Sequence, residues 1–275
     1  MPSQPDPAAL PVVLSFAFSD PTGGAGSQGA ALTIAANGAH PASVITGLCA
    51  RDTRGLEMFW SIDAEVIDEQ ARTLLEDLPV AAFHVGALSD THSIALVAAL
   101  LSDYPDIPVV LDPDLQAATE GEGAEEDLAD AICELLLPQA SLFMANSLEA
   151  RQLTTDHETG DGVMPVPLAS CAQALLDSGC GQVLITGSHE PTRQVINTLY
   201  GVHGVIRADA WERLPGSFLG AGITLSAAIA SRLANGIELS EAVRSAQAYV
   251  WQALAQGTNP GMGARLPRRF AKGPA

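Results

Sequence analysis

Short apolar runs alternate with stretches of helical periodicity along most of this chain. Val12 to Phe18 is apolar and bounded by prolines and a glycine-rich loop, which predicts a buried strand. A small-residue helix is expected from Gly24 to Gly38, then a second strand from Ser43 to Cys49. From Asp63 to Leu78 the apolar positions Val66, Ile67, Ala71, Leu74, Leu75 and Leu78 fall on one helical face, with Asp63 as N-cap. The same reading gives strands at Val80–Val85, Val109–Leu111, Ser141–Ala145 and Gln182–Thr186. Helices are expected at Thr91–Ser102, Leu128–Leu137, from Leu148 onward, and at Leu168–Ser178. Gln194–Tyr200 and Gly204–Asp209 flank Gly201-Val202-His203, a hairpin signal. A long small-residue helix opens at Gly220–Gly222 and runs to Ala234, and the last helix spans Glu238 to Gln256. Glu120–Asp127 reads as an acidic loop and Thr154–Pro167 as a surface loop.

Strand and helix in alternation predict an α/β chain in three α/β/α layers: a mostly parallel central sheet covered on both faces, with a small hairpin at one edge. The 275 residues are expected to form one domain, with residues 1–11 and 260–275 as peripheral tails, the latter basic through Arg265, Arg268, Arg269 and Lys272 and either an ordered wrap or a frayed end.

Charge narrows the partners. The net charge is −19, from 32 acidic and only 13 basic residues. Such a field repels phosphate backbones and argues against nucleic acid. Free nucleotides are repelled too, so a phosphate site here must rely on backbone N–H groups and Mg²⁺. Cys49, Cys133, Cys171 and Cys180 have no CxxC spacing and read as buried thiols. The proline-rich start lacks a basic segment followed by an apolar run, and no stretch is long and apolar enough for a membrane. The expected location is cytoplasmic.

Three segments carry candidate chemistry. Asp20-Pro21-Thr22-Gly23-Gly24-Ala25-Gly26 lies between a strand and a helix, where glycines admit a ligand to the backbone and a helix start favours anions. A tight turn capped by Asp20 explains the same residues. Gly220-Ala221-Gly222-Ile223 opens a helix with successive N–H groups able to hold phosphoryl charge. It lacks the Lys-[Ser/Thr] ending of a P-loop, and close packing of a helix on a sheet would also select small residues. Asn146 and Glu149 either face a Mg²⁺–nucleotide or form a capping box.

In combination these segments resemble the hydroxymethylpyrimidine/phosphomethylpyrimidine kinases of thiamine biosynthesis, in the ribokinase-like superfamily. The resemblance runs from about Val12 to Gln256 through SDPTGGAGSQ, SVITGL, VVLDP, LLPQASLFMANSLEA, VLITGSH and GAGITLSAAIASRLANG. NTLYG and WERLPGS look like one bacterial subgroup. The resemblance implies ATP-dependent phosphoryl transfer to hydroxymethylpyrimidine or its phosphate, with Mg²⁺ as cofactor, in a homodimer. It implies an anion hole at Gly220, Ala221, Gly222 and the N–H of Ile223. Asp112, Asn146, Glu149, Thr186 and Gly187 would serve the nucleotide, with Asp112 and Glu149 toward Mg²⁺. Asp20, Gly24, Ala30, Arg51 and Ala87 would line the pyrimidine pocket.

The chain departs from the pattern at five positions. Ile223 stands where the family has a Cys or Asp base. Ala30 replaces an Asp, Arg51 a glutamine that grips the pyrimidine, Ala87 a Met, and Thr186 a Lys. Two other readings therefore remain open: a non-catalytic, ligand-binding relative, and a kinase for another small alcohol whose anionic substituent meets Arg51.

Overall fold

The computed structural model describes residues 9–115, 124–154 and 166–270. Nine strands form one sheet: β1 (Val12–Ser19), β2 (His40–Arg51), β3 (Leu56–Ser61), β4 (Val80–Val85), β5 (Val109–Leu111), β6 (Leu142–Asn146), β7 (Gln182–Thr186), β8 (Gln194–Gly201) and β9 (Gly204–Glu212). Their order is β3-β2-β1-β4-β5-β6-β7-β8-β9. Strands β2, β1, β4, β5, β6 and β7 pair in parallel, as the helix-length connections between them dictate. The expected hairpin is β8–β9 at one edge.

Period-two side-chain alternation splits the core between the two faces. Leu14, Phe16 and Phe18 of β1 point to one side. There they meet Ile67 of α2 (Ala64–Asp77), Ile94 of α3 (Thr91–Ser102), Leu128 of α4 (Ala124–Ala131) and Leu175 of α6 (Leu168–Asp177). Val13 points to the other side, toward Ile34 of α1 (Gly26–Ala36), Ile229 of α7 (Ala221–Ala234) and Val243 of α8 (Leu239–Ala255). The short α5 (Ser147–Gln152) follows β6 directly.

Two expectations are corrected. β3 was not anticipated. Its apolar residues Leu56, Met58, Phe59 and Trp60 do not alternate, and as an antiparallel edge strand it leaves Met58 and Trp60 half exposed while Phe59 packs edge-on against Phe18 at 5.8 Å. The acidic loop is helical from Ala124, and α4 continues into a π turn at Ile132–Leu136 and a 3₁₀ turn at Leu137–Gln139. Its first part, like most of the Thr154–Pro167 loop, lies outside the described residues, as do residues 1–8 and Lys272. Of the two expectations for the segment after Pro260, an ordered wrap describes it as far as Phe270. It bridges Phe218 through Arg265 and folds back on itself through Thr258 and Leu266.

Helix α7 lies close against the sheet because its buried face is small: Ala227, Ala228 and Ala230 are fully buried. A larger side chain there must push the helix off the strands. Ala228→Leu is expected to destabilise the protein by about 1–3 kcal/mol through overpacking. A lowered urea midpoint at unchanged slope would record it; an unchanged midpoint would mean the helix has room to spare.

Candidate active site

The parallel strands β1, β4, β5, β6 and β7 end on one rim, and the strand order reverses between β1 and β4. Crevices at such switch points are where open α/β sheets bind ligands. Asp20 follows β1, Gly86 and Ala87 follow β4, Asp112 follows β5, Asn146 ends β6, and Thr186 ends β7 opposite Asn146.

Asp20 is fully buried and both its oxygens are engaged by its own loop. Oδ1 accepts from the N–H and hydroxyl of Thr22, each at 2.8 Å, and Oδ2 from the N–H of Ala25 at 2.7 Å. The turn-forming explanation therefore accounts for its contacts, and the carboxylate shapes the Gly23–Gly24 backbone. That backbone meets the start of α7. Gly220 has φ +82°, and a Cβ there would overlap the Gly24 carbonyl oxygen, so no side chain fits. The first helical bond of α7 runs from the Thr224 N–H to the Gly220 carbonyl at 3.1 Å, leaving the N–H groups of Ala221, Gly222 and Ile223 ahead of the ladder.

Asp112 sits beside this loop. A Cβ on Gly222 would lie 3.7 Å from its Oδ2. Burial pushes the Asp112 carboxyl well above the usual range, and the nearby Asp114 and Glu149 carboxylates add to the shift. Glu149 is pushed up to about 7, again mainly by burial. The Asn146–Glu149 capping box is present in full. Asn146 Oδ1 accepts from the N–H groups of Leu148 and Glu149, and Glu149 Oε2 from that of Asn146 at 2.8 Å. Among the described residues no three His, Cys, Asp or Glu side chains form a ready-made metal cage. A pair of buried carboxylates beside a phosphate loop nevertheless suits Mg²⁺, which takes one or two carboxylates and completes its shell with phosphates and water.

The remaining candidate residues are spread over the rim and the core beneath it. Ile223 is half-buried, and its Cδ1 would stand 3.7 Å from a Cβ on Gly86, so it lays hydrocarbon across the switch-point crevice. Arg51, at the end of β2, is partly buried, and its Nε is buried without a hydrogen-bond partner among the described residues. Ala87 is 4% exposed, its carbonyl taken by the Thr46 hydroxyl at 3.0 Å. Ala30 is fully buried in the core between α1 and the sheet, so the structure offers none of its surface to a pocket. Gly187 is held at the far side of the rim, its N–H donating to Asn197 Oδ1 at 3.1 Å.

Sequence reasoning missed a buried polar line running to Asp112. Ser15 Oγ is 2.9 Å from His84 Nδ1, His84 Nε2 is 2.9 Å from Ser226 Oγ, and Ser226 donates to Asp112 Oδ2 at 2.8 Å. Every link is satisfied when Ser15 donates to a neutral His84 that in turn donates to Ser226. The available signal was a polar residue inside each of two apolar runs, Ser15 within Val12–Phe18 and His84 within β4. Burial pushes His84 down to about 4 from its ordinary 6.5. The unfolded chain then binds more protons than the native one between those values, so this histidine costs stability as pH falls through that window. The cost is on the order of 2–3 kcal/mol. The stability advantage of wild type over His84→Asn, measured by urea unfolding, should shrink between about pH 7 and about pH 4.5. A pH-independent difference would contradict a neutral His84.

Comparison with known proteins fits this geometry. Residues 20–267 match the phosphomethylpyrimidine kinase family model. The chain is 35% identical over 244 residues to the hydroxymethylpyrimidine/phosphomethylpyrimidine kinase of Rhizobium meliloti, covering 88% of this chain and 90% of that one. The fold is similar to that of Bacillus subtilis pyridoxal kinase, solved as an ADP complex, with a TM-score of 0.82 at 26% identity over 95% of this chain and 98% of that one. It is also similar to phosphomethylpyrimidine kinase from Clostridium difficile, with a TM-score of 0.70 at 27% identity over 87% of this chain and 97% of the other. With its two glycine loops at the switch point, the chain belongs to the phosphomethylpyrimidine kinase family.

Proposed function

We propose that this protein transfers the γ-phosphoryl group of ATP to the hydroxymethyl group of a thiamine-precursor pyrimidine, favours a pyrimidine that already carries a phosphate, and turns over slowly. The observation that carries the reading is the contact of Gly220 with the Gly24 carbonyl, with Asp112 at the same junction. An alcohol held over the Gly24 loop and a phosphoryl group held on the Gly220–Ile223 amides would be neighbours. That proximity is most of what phosphoryl transfer requires of a protein.

The amides of Ala221, Gly222 and Ile223 would neutralise charge on the transferring group. Asp112 and Glu149 would hold Mg²⁺, which when bound screens the phosphate charge. Burial raises both carboxyls, and a bound cation would favour their ionised forms, so cation and protons would compete for the pair. Asn146, Thr186 and Gly187 lie along the same rim for the rest of the nucleotide. Arg151 and Glu190, paired at 2.7 Å, brace that end. The reading includes the cytoplasmic homodimer of one domain per chain that the resemblance implies.

Ile223 sets the rate. It offers the attacking hydroxyl no acceptor. Because phosphoryl transfer passes through a loose transition state, the missing base costs about 10²–10⁴-fold and does not forbid the reaction. Wild-type turnover on neutral hydroxymethylpyrimidine should fall far below ~1 s⁻¹. Ile223→Cys should raise kcat by about tenfold, short of the full general-base effect. Product formation with Mg²⁺-ATP measures both. Turnover near ~1 s⁻¹ in wild type would make the base position irrelevant. Nucleotide binding by thermal shift with no product from either protein would establish the second reading, a ligand-binding relative, which the hydrocarbon of Ile223 over Gly86 favours.

Arg51 sets the substrate preference. Its buried Nε has no hydrogen-bond partner among the described residues, which suits an acceptor on a bound ligand. Arg51→Gln should weaken calorimetric binding of the pyrimidine phosphate by about 10–100-fold, the value of a charge-assisted bond. Binding of the neutral pyrimidine should stay within about threefold. Equal losses for both ligands would remove Arg51 from phosphate recognition.

A further inference from the structure

The C-terminal segment crosses the loops of the candidate site one after another. The N–H groups of Gly263 and Ala264 donate to the Thr53 hydroxyl and carbonyl at 3.0 and 2.7 Å, just beyond Arg51. Arg265 exchanges backbone bonds with Ser217 and Leu219 at 2.9 and 3.0 Å, just before Gly220. The segment is pinned to α8 by Arg268 N–H to the Ala253 carbonyl and by the Tyr249 hydroxyl to the Arg269 carbonyl, both at 2.8 Å. Arg269 then turns inward and is 5% exposed.

Its guanidinium binds both glycine loops at once. Nη1 donates to the Gly23 carbonyl at 3.1 Å and Nη2 to the Gly24 carbonyl at 2.6 Å. Nη2 also reaches Thr224 Oγ1 at 2.9 Å, and Nε reaches Thr33 Oγ1 at 3.0 Å. Both hydroxyls are oriented to receive these bonds, because Thr224 donates to the Gly220 carbonyl at 2.6 Å and Thr33 to the Gly29 carbonyl at 2.7 Å. The partners are neutral oxygens, and no ion pair to Arg269 occurs among the described residues. A buried cation without a carboxylate is costly. The fork shape of arginine matches four acceptors spread over two loops, as no lysine could. The atom it holds most tightly, the Gly24 carbonyl oxygen, is the one on which Gly220 packs.

We propose that Arg269 is a positioning residue for phosphoryl transfer: it clasps the Gly23–Gly24 loop to the first turn of α7, fixes the spacing between the two loops, and sets a positive charge behind the phosphate amides. This rests on the kinase reading given above. Each loop keeps its own contacts when the clasp is cut, so each ligand still binds, while their mutual alignment is lost. Misplacement by about 1 Å is worth about 10²-fold in rate.

The test compares wild type with Arg269→Met and with Thr224→Val, which removes one anchor at constant shape and keeps the question open if the first variant fails to fold. Hydrogen exchange read by mass spectrometry should accelerate at least about tenfold at the amides of both loops, Gly23–Gln28 and Ala221–Leu225, with β7–β9 unchanged. In steady-state assays kcat should fall about 10–100-fold in Arg269→Met and less in Thr224→Val, with KM for ATP and for the pyrimidine within about threefold. Unchanged exchange in either loop, acceleration spread equally over β7–β9, or full kcat in a variant with loosened loops would each overturn the proposal. Wild type without turnover would sink the kinase reading. The clasp would then stand on coupled loosening of the two loops and fall without it.

Discussion

One backbone contact governs the rim of this sheet: Gly220 against the carbonyl of Gly24, where no side chain on Gly220 fits. Two loops nearly two hundred residues apart in sequence come within van der Waals distance there. The contact fixes where α7 begins and therefore where its leading amides point. It also fixes the Gly23–Gly24 loop that Asp20 folds from the inside. Phosphoryl transfer makes few covalent demands on a protein and strict geometric ones. A junction made of backbone, braced by a buried carboxylate on one side and a buried guanidinium on the other, meets those demands with little to move.

Charge explains why the junction is built this way. With 13 basic residues against 32 acidic, lysines are scarce. An anion must be held by amides, by a cation, or by an arginine placed for the purpose. The carboxyls of Asp112 and Glu149 are both raised, mainly by burial, with Asp114 adding to each shift, so their ionised forms lack a compensating charge. His84 and Ser226 organise one of them from the core side, so the acidic cluster is supported from beneath without a compensating positive charge.

The sheet was legible in the sequence because each parallel strand is a short apolar run between turn residues, and the glycine loops because they follow those runs. β3 was not, since an edge strand with exposed Met58 and Trp60 has no need of alternation. Local patterns also overstated some side chains. Asp20 and Asn146 sit where expected, yet their described bonds are the turn and capping bonds any such residue would make. Ala30, on the first helix, is buried in the core. The polar line through Ser15, His84 and Ser226 was invisible because its members lie 69 and 142 residues apart, and only the fold joins them. Arg269 looked like one of several tail charges. Nothing in a basic tail distinguishes the arginine that is buried from those that are solvated.

Ile223 gains its meaning from these neighbours. Had the site no anion to handle, apolar residues at Asp112 and Glu149 would relieve a burial cost, as replacing buried charges by hydrocarbon commonly does. The site instead combines two costly buried acids and a costly buried guanidinium with hydrocarbon at Ile223. On the reading proposed above, those groups would act on different parts of the reaction. The acids and the amides would address phosphate, and the residue at 223 would meet the alcohol. The division would then fall between nucleotide handling, for which the rim offers amides and carboxylates, and hydroxyl activation, for which Ile223 offers no acceptor. Nucleotide binding would survive such a division, and transfer would be slow.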